Sequence, residues 1–281
     1  MMVVLMIRII SGITGAGKSL FAVYLMYLDT CVNGYDNYLK SCREIENLRH
    51  NGFSLSYPKQ KHITYFNGQV RFSPYCRPVK TAYSFNPWEM GLPVANKKTR
   101  LFFPCAKIYI DEAQRFYNSR LSYCFPDFVS RFFELHRHWD LDITLIAQRS
   151  GLIDINIREI STEFLHIEKL EREEDSLGNL KKTIWHIKKF TNNADLEHYL
   201  DGHKELGEEE IITCEENLYK YYDTHFFKFL FLNQKESQNF LQQTLNPFRY
   251  SPEICNKLSE IYSATAPANF YDKKGKSEND E

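Results

Sequence analysis

The chain has 281 residues, of which 43% are hydrophobic and 25% charged, with a formal net charge of −1. That length and apolar content supply the core of one large domain or two small ones and exclude wholesale disorder. A charge near zero excludes a nucleic-acid binder that works by overall basicity, so any such contact needs a local patch or a ring of subunits.

The first ten residues, "MMVVLMIRII", are apolar but short and interrupted by Arg8. They lack the basic start and small-residue cleavage site of a signal peptide. Residues 3–10 read as a buried strand of a parallel sheet covered on both faces. Leu20, Val23, Tyr24, Tyr27, Leu28 and Cys31 then recur at helical spacing, with a stop at Asn33-Gly34. A second helix is expected over 36–49. "HITYF" and "QVRFS" flank Asn67-Gly68, the signal of a β-hairpin. Residues 74–106 carry five prolines and read as irregular. "KIYI" (107–110) is the next strand. A helix is expected over 126–139, with Phe128, Phe132, Leu135 and Trp139 on its buried face, followed by a strand over 142–148.

"FLHIEKLE" and "KTIWHIKKF" bracket "EDSLGN" as a second hairpin. A late helix starts at Ser251-Pro252, and the final residues read as a disordered tail. "FFKFLFL" (226–232) contains Lys228 and is far shorter than the ~20 residues of a membrane span. No transmembrane helix is expected. The seven cysteines form no C-x-x-C pair and no zinc-like cluster, and read as free thiols of a reducing compartment. The expected division is a first domain over 1–192, a further region over 193–265 and a tail over 266–281.

Gly12-Ile13-Thr14-Gly15-Ala16-Gly17-Lys18-Ser19 fits the phosphate-loop pattern G-x-x-x-x-G-K-[ST], between a buried strand and an amphipathic helix. Its glycines let backbone N–H groups curl around a polyphosphate at a helix N-terminus. Lys18 is placed to reach the β- and γ-phosphates of ATP, and the Ser19 hydroxyl to bind Mg²⁺. The "KIYI" strand ends in Asp111 and Glu112, two adjacent carboxylates where an apolar run stops. In a parallel sheet the carboxyl ends of the strands share one edge, where ligands bind. Asp111 is then expected in the metal shell, and Glu112 as the group that orients and polarises the attacking water. Gln148, at the end of the next strand, is placed to sense the γ-phosphate. Transition-state charge calls for an arginine, often from a neighbouring subunit. Arg115, Arg120, Arg137, Arg149 and Arg158 are candidates, and Arg120 and Arg158 are selected. His136 and His138 face different sides of a helix and read as interface or capping residues rather than metal ligands.

"IDEAQRFYNSR" followed by "FFELHRHWDLDITLIAQRSGLIDINIRE" resembles the zonular occludens toxin (Zot) family, which includes the assembly ATPases of filamentous phages. The resemblance runs through Gly12 to Ser19, Ile110 to Ala113, Arg120, His136-Arg137-His138, Gln148 and Ile153 to Arg158, over roughly residues 3–190. It implies an α/β fold, a P-loop NTPase whose mainly parallel sheet is flanked by helices, with an added strand between the two motif strands and a smaller C-terminal region. It further implies an oligomeric motor in virion assembly and export or DNA translocation. Phage coat or membrane assembly proteins and single-stranded DNA are the implied partners, and the host cytoplasm or inner-membrane periphery the implied location. Two features depart from the family pattern: no membrane span follows the ATPase region, and Gln114 stands where a histidine is usual. A helicase-like nucleic-acid-dependent ATPase and a nucleotide-dependent scaffold with little hydrolysis are the competing readings.

Overall fold

The computed structural model describes residues 6–52, 55–68, 70–72, 80–81, 83–84, 102–120 and 127–222. In chain order the elements are β1 (Ile7–Gly12), α1 (Lys18–Tyr27), α2 (Gly34–His50), β2 (Thr64–Phe66), β3 (Arg71–Phe72), β4 (Lys80–Thr81), β5 (Tyr83–Ser84), β6 (Lys107–Ile110), α3 (Asp127–Glu134), β7 (Asp142–Ile146), α4 (Ile155–Ile160), β8 (Glu163–Glu174), β9 (Leu180–Phe190), α5 (Asn193–Leu200) and β10 (Glu208–Cys214). Eight strands form one sheet in the order β10-β9-β8-β1-β7-β6-β2-β5. The six from β8 to β5 run parallel; β9 and β10 are antiparallel additions. The fold is an α/β P-loop architecture, with β7 inserted between the phosphate-loop strand β1 and the Asp-Glu strand β6.

Each face of the sheet carries its own core, because alternate residues of a strand point to opposite faces. Ile7 and Ile9 join Ile108, Ile110, Ile143 and Leu145 on one face, covered by Val129, Phe132 and Phe133 of α3 and Ile157 of α4. Ile10, Tyr109 and Ile146 lie on the other, against Phe21, Val23 and Met26 of α1 and the fully buried Trp185. Phe21 and Tyr24 pack on the Trp185 ring at centroid distances of 5.4 and 5.5 Å. At the amino edge of the sheet, charges are paired instead of exposed. Arg8 bridges Glu163, Lys107 bridges Asp142, and the Tyr109 hydroxyl donates to Asp29 at 2.7 Å.

The break at Asn33-Gly34 is not a simple stop. α1 loosens into a π-helical turn over Leu28–Val32, and Gly34 is already the first residue of α2. The second hairpin is longer than its apolar pattern: β8 and β9 pair from Phe164/Phe190 to Glu174/Leu180.

The expected hairpin at Asn67-Gly68 does not form. β2 pairs in parallel with β5 and β6, while β3 pairs with β4 in a separate two-stranded sheet. Asn67 is used elsewhere: its Nδ2 donates to the Asp111 carbonyl at 3.0 Å, and the Asp111 N–H donates to its Oδ1 at 2.8 Å. The expected helix over 126–139 is also revised. α3 ends at Glu134, Leu135 leaves helical geometry, and His136–Trp139 form a 3₁₀ turn. The buried stripe is therefore Val129, Phe132 and Phe133, whereas Leu135 is 44% exposed. Past residue 192, α5 packs on β8 and β9, and β10 pairs with β9 to extend the sheet. The late helix, the tail and the apolar run at 226–232 lie outside the described residues.

Replacing Asn67 with Ala removes both partners of the Asp111 backbone. Each buried group left unsatisfied costs about 1–3 kcal/mol. Urea denaturation is expected to show Asn67→Ala destabilised by about 2 kcal/mol or more; a loss below about 0.5 kcal/mol would mean that solvent or another donor satisfies Asp111.

Candidate active site

β1 and β6 both run toward the same sheet edge, so the loops that follow them converge. The loop after β1 is tight. Gly12 has φ +151°, and a Cβ there would lie 2.5 Å from the Ile167 carbonyl oxygen on β8. Gly17 has φ +83°, and its Cβ would lie 2.9 Å from a Leu170 methyl. These two glycines let the chain hug β8 while turning into α1. The Lys18 ammonium donates to the carbonyls of Gly12 and Ile13, both at 2.8 Å. Burial pulls its pKa down, against the opposing pull of Glu112 and Asp111.

Asp111 is 5% exposed. Burial raises its pKa, and the Glu112 charge adds to the rise; hydrogen bonds from Ser19, the Glu112 N–H and Tyr222 oppose it. The Glu112 N–H donates to Asp111 Oδ1 at 2.9 Å and the Tyr222 hydroxyl to Oδ2 at 3.3 Å. A buried carboxylate beside a serine hydroxyl, with burial as its largest perturbation, suits a hard divalent cation that takes few protein oxygens and keeps waters and phosphate oxygens. The residues that would hold Mg²⁺ are Ser19 and Asp111.

Glu112 sits in the left-handed region, φ 53° and ψ 40°. For a non-glycine residue that conformation costs about 1–3 kcal/mol, a kind of strain that clusters at functional sites. Its carboxylate accepts from the Gln114 amide at 2.5 Å and lies 3.8 Å from Arg115. Gln114, the departure from the expected histidine, thus tethers Glu112.

A cavity of about 280 Å³ joins these parts. Its phosphate-loop wall is Thr14, Gly15, Gly17, Lys18 and Ser19, facing Glu112 and Gln148. Ile13 is exposed at the loop tip, and Ala16 is buried against α1's core. The Gln148 carbonyl accepts from the Gly12 N–H at 3.4 Å, which ties the end of β7 to the loop.

The two selected arginines are placed differently. Arg120 is exposed, with its backbone N–H on Asn118, and does not line the cavity. Arg158 is held by the Ile153 carbonyl at 3.0 Å and Glu197 at 2.6 Å, and it does not line the cavity either. His136 caps the end of α3 through Nδ1 and the Phe133 carbonyl, 2.6 Å apart. Three further lining residues, Arg172, Tyr219 and Tyr222, carried no motif signal: Arg172 lies in the hairpin strand β8, and the two tyrosines lie beyond β10.

A family model described as zonular occludens toxin (Zot) matches residues 6–174. Among solved structures, the chain is similar to the N-terminal domain of zonular occludens toxin from Neisseria meningitidis, with 18% identity and a TM-score of 0.48, covering 78% of this chain and 99% of that one. It is also similar to the genome packaging NTPase B204 of Sulfolobus turreted icosahedral virus 2 in complex with ATP-gammaS, with 10% identity and a TM-score of 0.36, covering 75% of this chain and 97% of that one. No curated protein matches. No helix among the described residues is long and apolar enough to cross a membrane.

The raised pKa of Asp111 has a consequence for stability. A carboxyl whose folded pKa lies above its unfolded value favours folding below the ordinary carboxylate range, and that contribution is lost as pH rises through the folded value. Asp111→Asn, which keeps an acceptor for the Glu112 N–H, is therefore expected to unfold at a higher temperature than wild type at pH 7 in a chelator. The advantage shrinks as pH falls through the raised folded value of Asp111 and is gone by about 4, the ordinary carboxylate range. Adding Mg-ATP should stabilise wild type and leave the variant unmoved. Thermal scans at both pH values check the pattern; equal midpoints at pH 7 would contradict it.

Proposed function

The chain belongs to the zonular occludens toxin (Zot) family, and on that premise we propose that it is a Mg-ATP hydrolase working as an oligomeric motor in virion assembly and export or DNA translocation. The observation that carries this reading is the single cavity that gathers Lys18 and Ser19 of the phosphate loop with Glu112 and Gln148, beside the buried Asp111. In this reading the loop N–H groups and Lys18 hold the β- and γ-phosphates. Ser19 and Asp111 hold Mg²⁺, which when bound neutralises charge on the phosphate oxygens. Glu112, fixed by Gln114, orients and polarises the water that attacks the γ-phosphorus. Gln148, tied to Gly12, reads the γ-phosphate from the end of β7.

Neither selected arginine lines its own cavity, so in this reading an arginine of that pair acts on a neighbouring copy's site. Arg120 is exposed and free of ion pairs in its own subunit's described contacts, so it is the one suited to cross to a neighbour. Arg158 is suited to anchor α4 to α5 through Glu197. Partners in this reading are further copies of the chain, phage coat or membrane assembly proteins and single-stranded DNA, met in the host cytoplasm or at the periphery of the inner membrane. One observation favours a second reading, a nucleotide switch with little turnover: the Tyr222 hydroxyl donates to Asp111, one of the two residues assigned to the metal.

Steady-state ATPase rate against protein concentration separates the two. A motor completed by its neighbours gains rate per subunit as concentration rises. Glu112→Gln is expected to lose about 100-fold or more, the range for a general base. A rate flat near zero in both proteins would sink the autonomous motor and leave the switch.

A further inference from the structure

The cavity has two chemically different ends, and the triphosphate accounts for only one. Beyond the phosphate loop it is lined by Leu170, Arg172 and Tyr219. β8 runs past Gly12, its partner at Ile167; Leu170 packs against Gly17 of the loop, and Arg172 lies two residues further along the strand. Tyr219 comes from the opposite direction, on the short 3₁₀ turn Leu218–Lys220 that follows β10. The Arg172 guanidinium carbon lies 4.7 Å from the Tyr219 ring centroid, so the two form a stacked pair.

That pair is held in place from behind. The Tyr219 N–H donates to Asn217 Oδ1 at 3.2 Å, and Leu218 is fully buried beside it. Tyr221 packs on Phe72 and stacks on Tyr27 of α1, with centroids 5.5 and 6.1 Å away. Leu170 is paired across the hairpin with Trp185, itself buried against Phe21 and Tyr24. The chemistry at this end is a ring face, a guanidinium plane and an aliphatic side chain. A planar π system is the ligand that such a surface takes.

We infer that Tyr219, Arg172 and Leu170 are the nucleobase platform of this protein, and that they select purine nucleotides by stacking while discriminating little between adenine and guanine. The inference rests on the nucleotide-binding reading and adds the specificity determinant to it. Among the described residues, no Asp, Glu, Asn or Gln lines this end; Glu112 and Gln148 belong to the phosphate end. Stacking reads a base by its face, and face area separates purines from pyrimidines better than it separates one purine from another. Arg172 is engaged through its plane on the Tyr219 ring, so it adds a stacking surface. Leu170 and Arg172 lie within residues 6–174, which the family model matches, and Tyr219 lies beyond them on the turn that follows β10.

The test is calorimetric titration, in Mg²⁺, of slowly hydrolysed ATP and GTP analogues, CTP and inorganic tripolyphosphate into wild type, Tyr219→Ala and Tyr219→Phe. Wild type is expected to bind the ATP and GTP analogues within about tenfold of each other and CTP more weakly. Tyr219→Ala is expected to weaken both purine nucleotides about tenfold or more while leaving tripolyphosphate affinity unchanged, and Tyr219→Phe to behave as wild type. Unchanged tripolyphosphate binding also shows that the variant is folded. Equal loss of nucleotide and tripolyphosphate, no loss in Tyr219→Ala, or a preference between the two purines above about tenfold overturns the platform alone. If wild type binds neither nucleotide nor tripolyphosphate, the nucleotide reading itself fails, and the platform with it.

Discussion

Parallel pairing on both sides of β1 is the constraint from which the site follows. Because β8, β1, β7, β6 and β2 all run the same way, every strand delivers its carboxyl end to one edge. The phosphate loop, Asp111-Glu112 and Gln148 are then neighbours without any local sequence reason to be. Holding β1 in the middle requires it to be apolar on both faces, and Ile7, Ile9 and Ile10 meet that requirement with no exposed surface. The Asn67 side chain completes the alignment. By pairing with both backbone groups of Asp111, it fixes the point at which β6 stops and the turn to Glu112 begins.

Charge is arranged in opposite ways at the two edges. At the amino edge, Arg8 meets Glu163 and Lys107 meets Asp142, so the partly buried ions are neutralised within the chain. At the carboxyl edge Asp111 is buried among hydroxyl and amide donors, and Lys18 is bound to carbonyls. Unlike the first arrangement, the second holds neither group in a salt bridge among the described residues, as the proposed metal and phosphate roles require. Proteins meet such costs where function requires them.

What the sequence made legible was chemistry bound to spacing. Gly12 and Gly17 stand where a Cβ would collide with β8, Lys18 and Ser19 complete the same pattern, and β8 and β9 announce themselves through apolar alternation around a turn. What escaped was any residue whose role depends on a distant partner. Asn67-Gly68 carries the local mark of a hairpin, but the Asn67 amide is spent on Asp111, 44 residues away. Helical spacing projected Leu135 into the core because nothing nearby signals that α3 ends one residue earlier. Tyr219 and Tyr222 were invisible for the same reason: the chain after β10 meets the phosphate loop only because β10 has been added to the sheet.

The outermost strand also settles how the sheet itself ends. β10 opens with Glu208, Glu209 and Glu210, all exposed, while its far side is paired to β9. Unpaired N–H and C=O groups along such a strand would otherwise invite a second molecule to continue the ladder, and clustered carboxylates repel that approach. Among the described residues, the edge at β10 thus disfavours continuation of the sheet by a second strand, whatever approaches it.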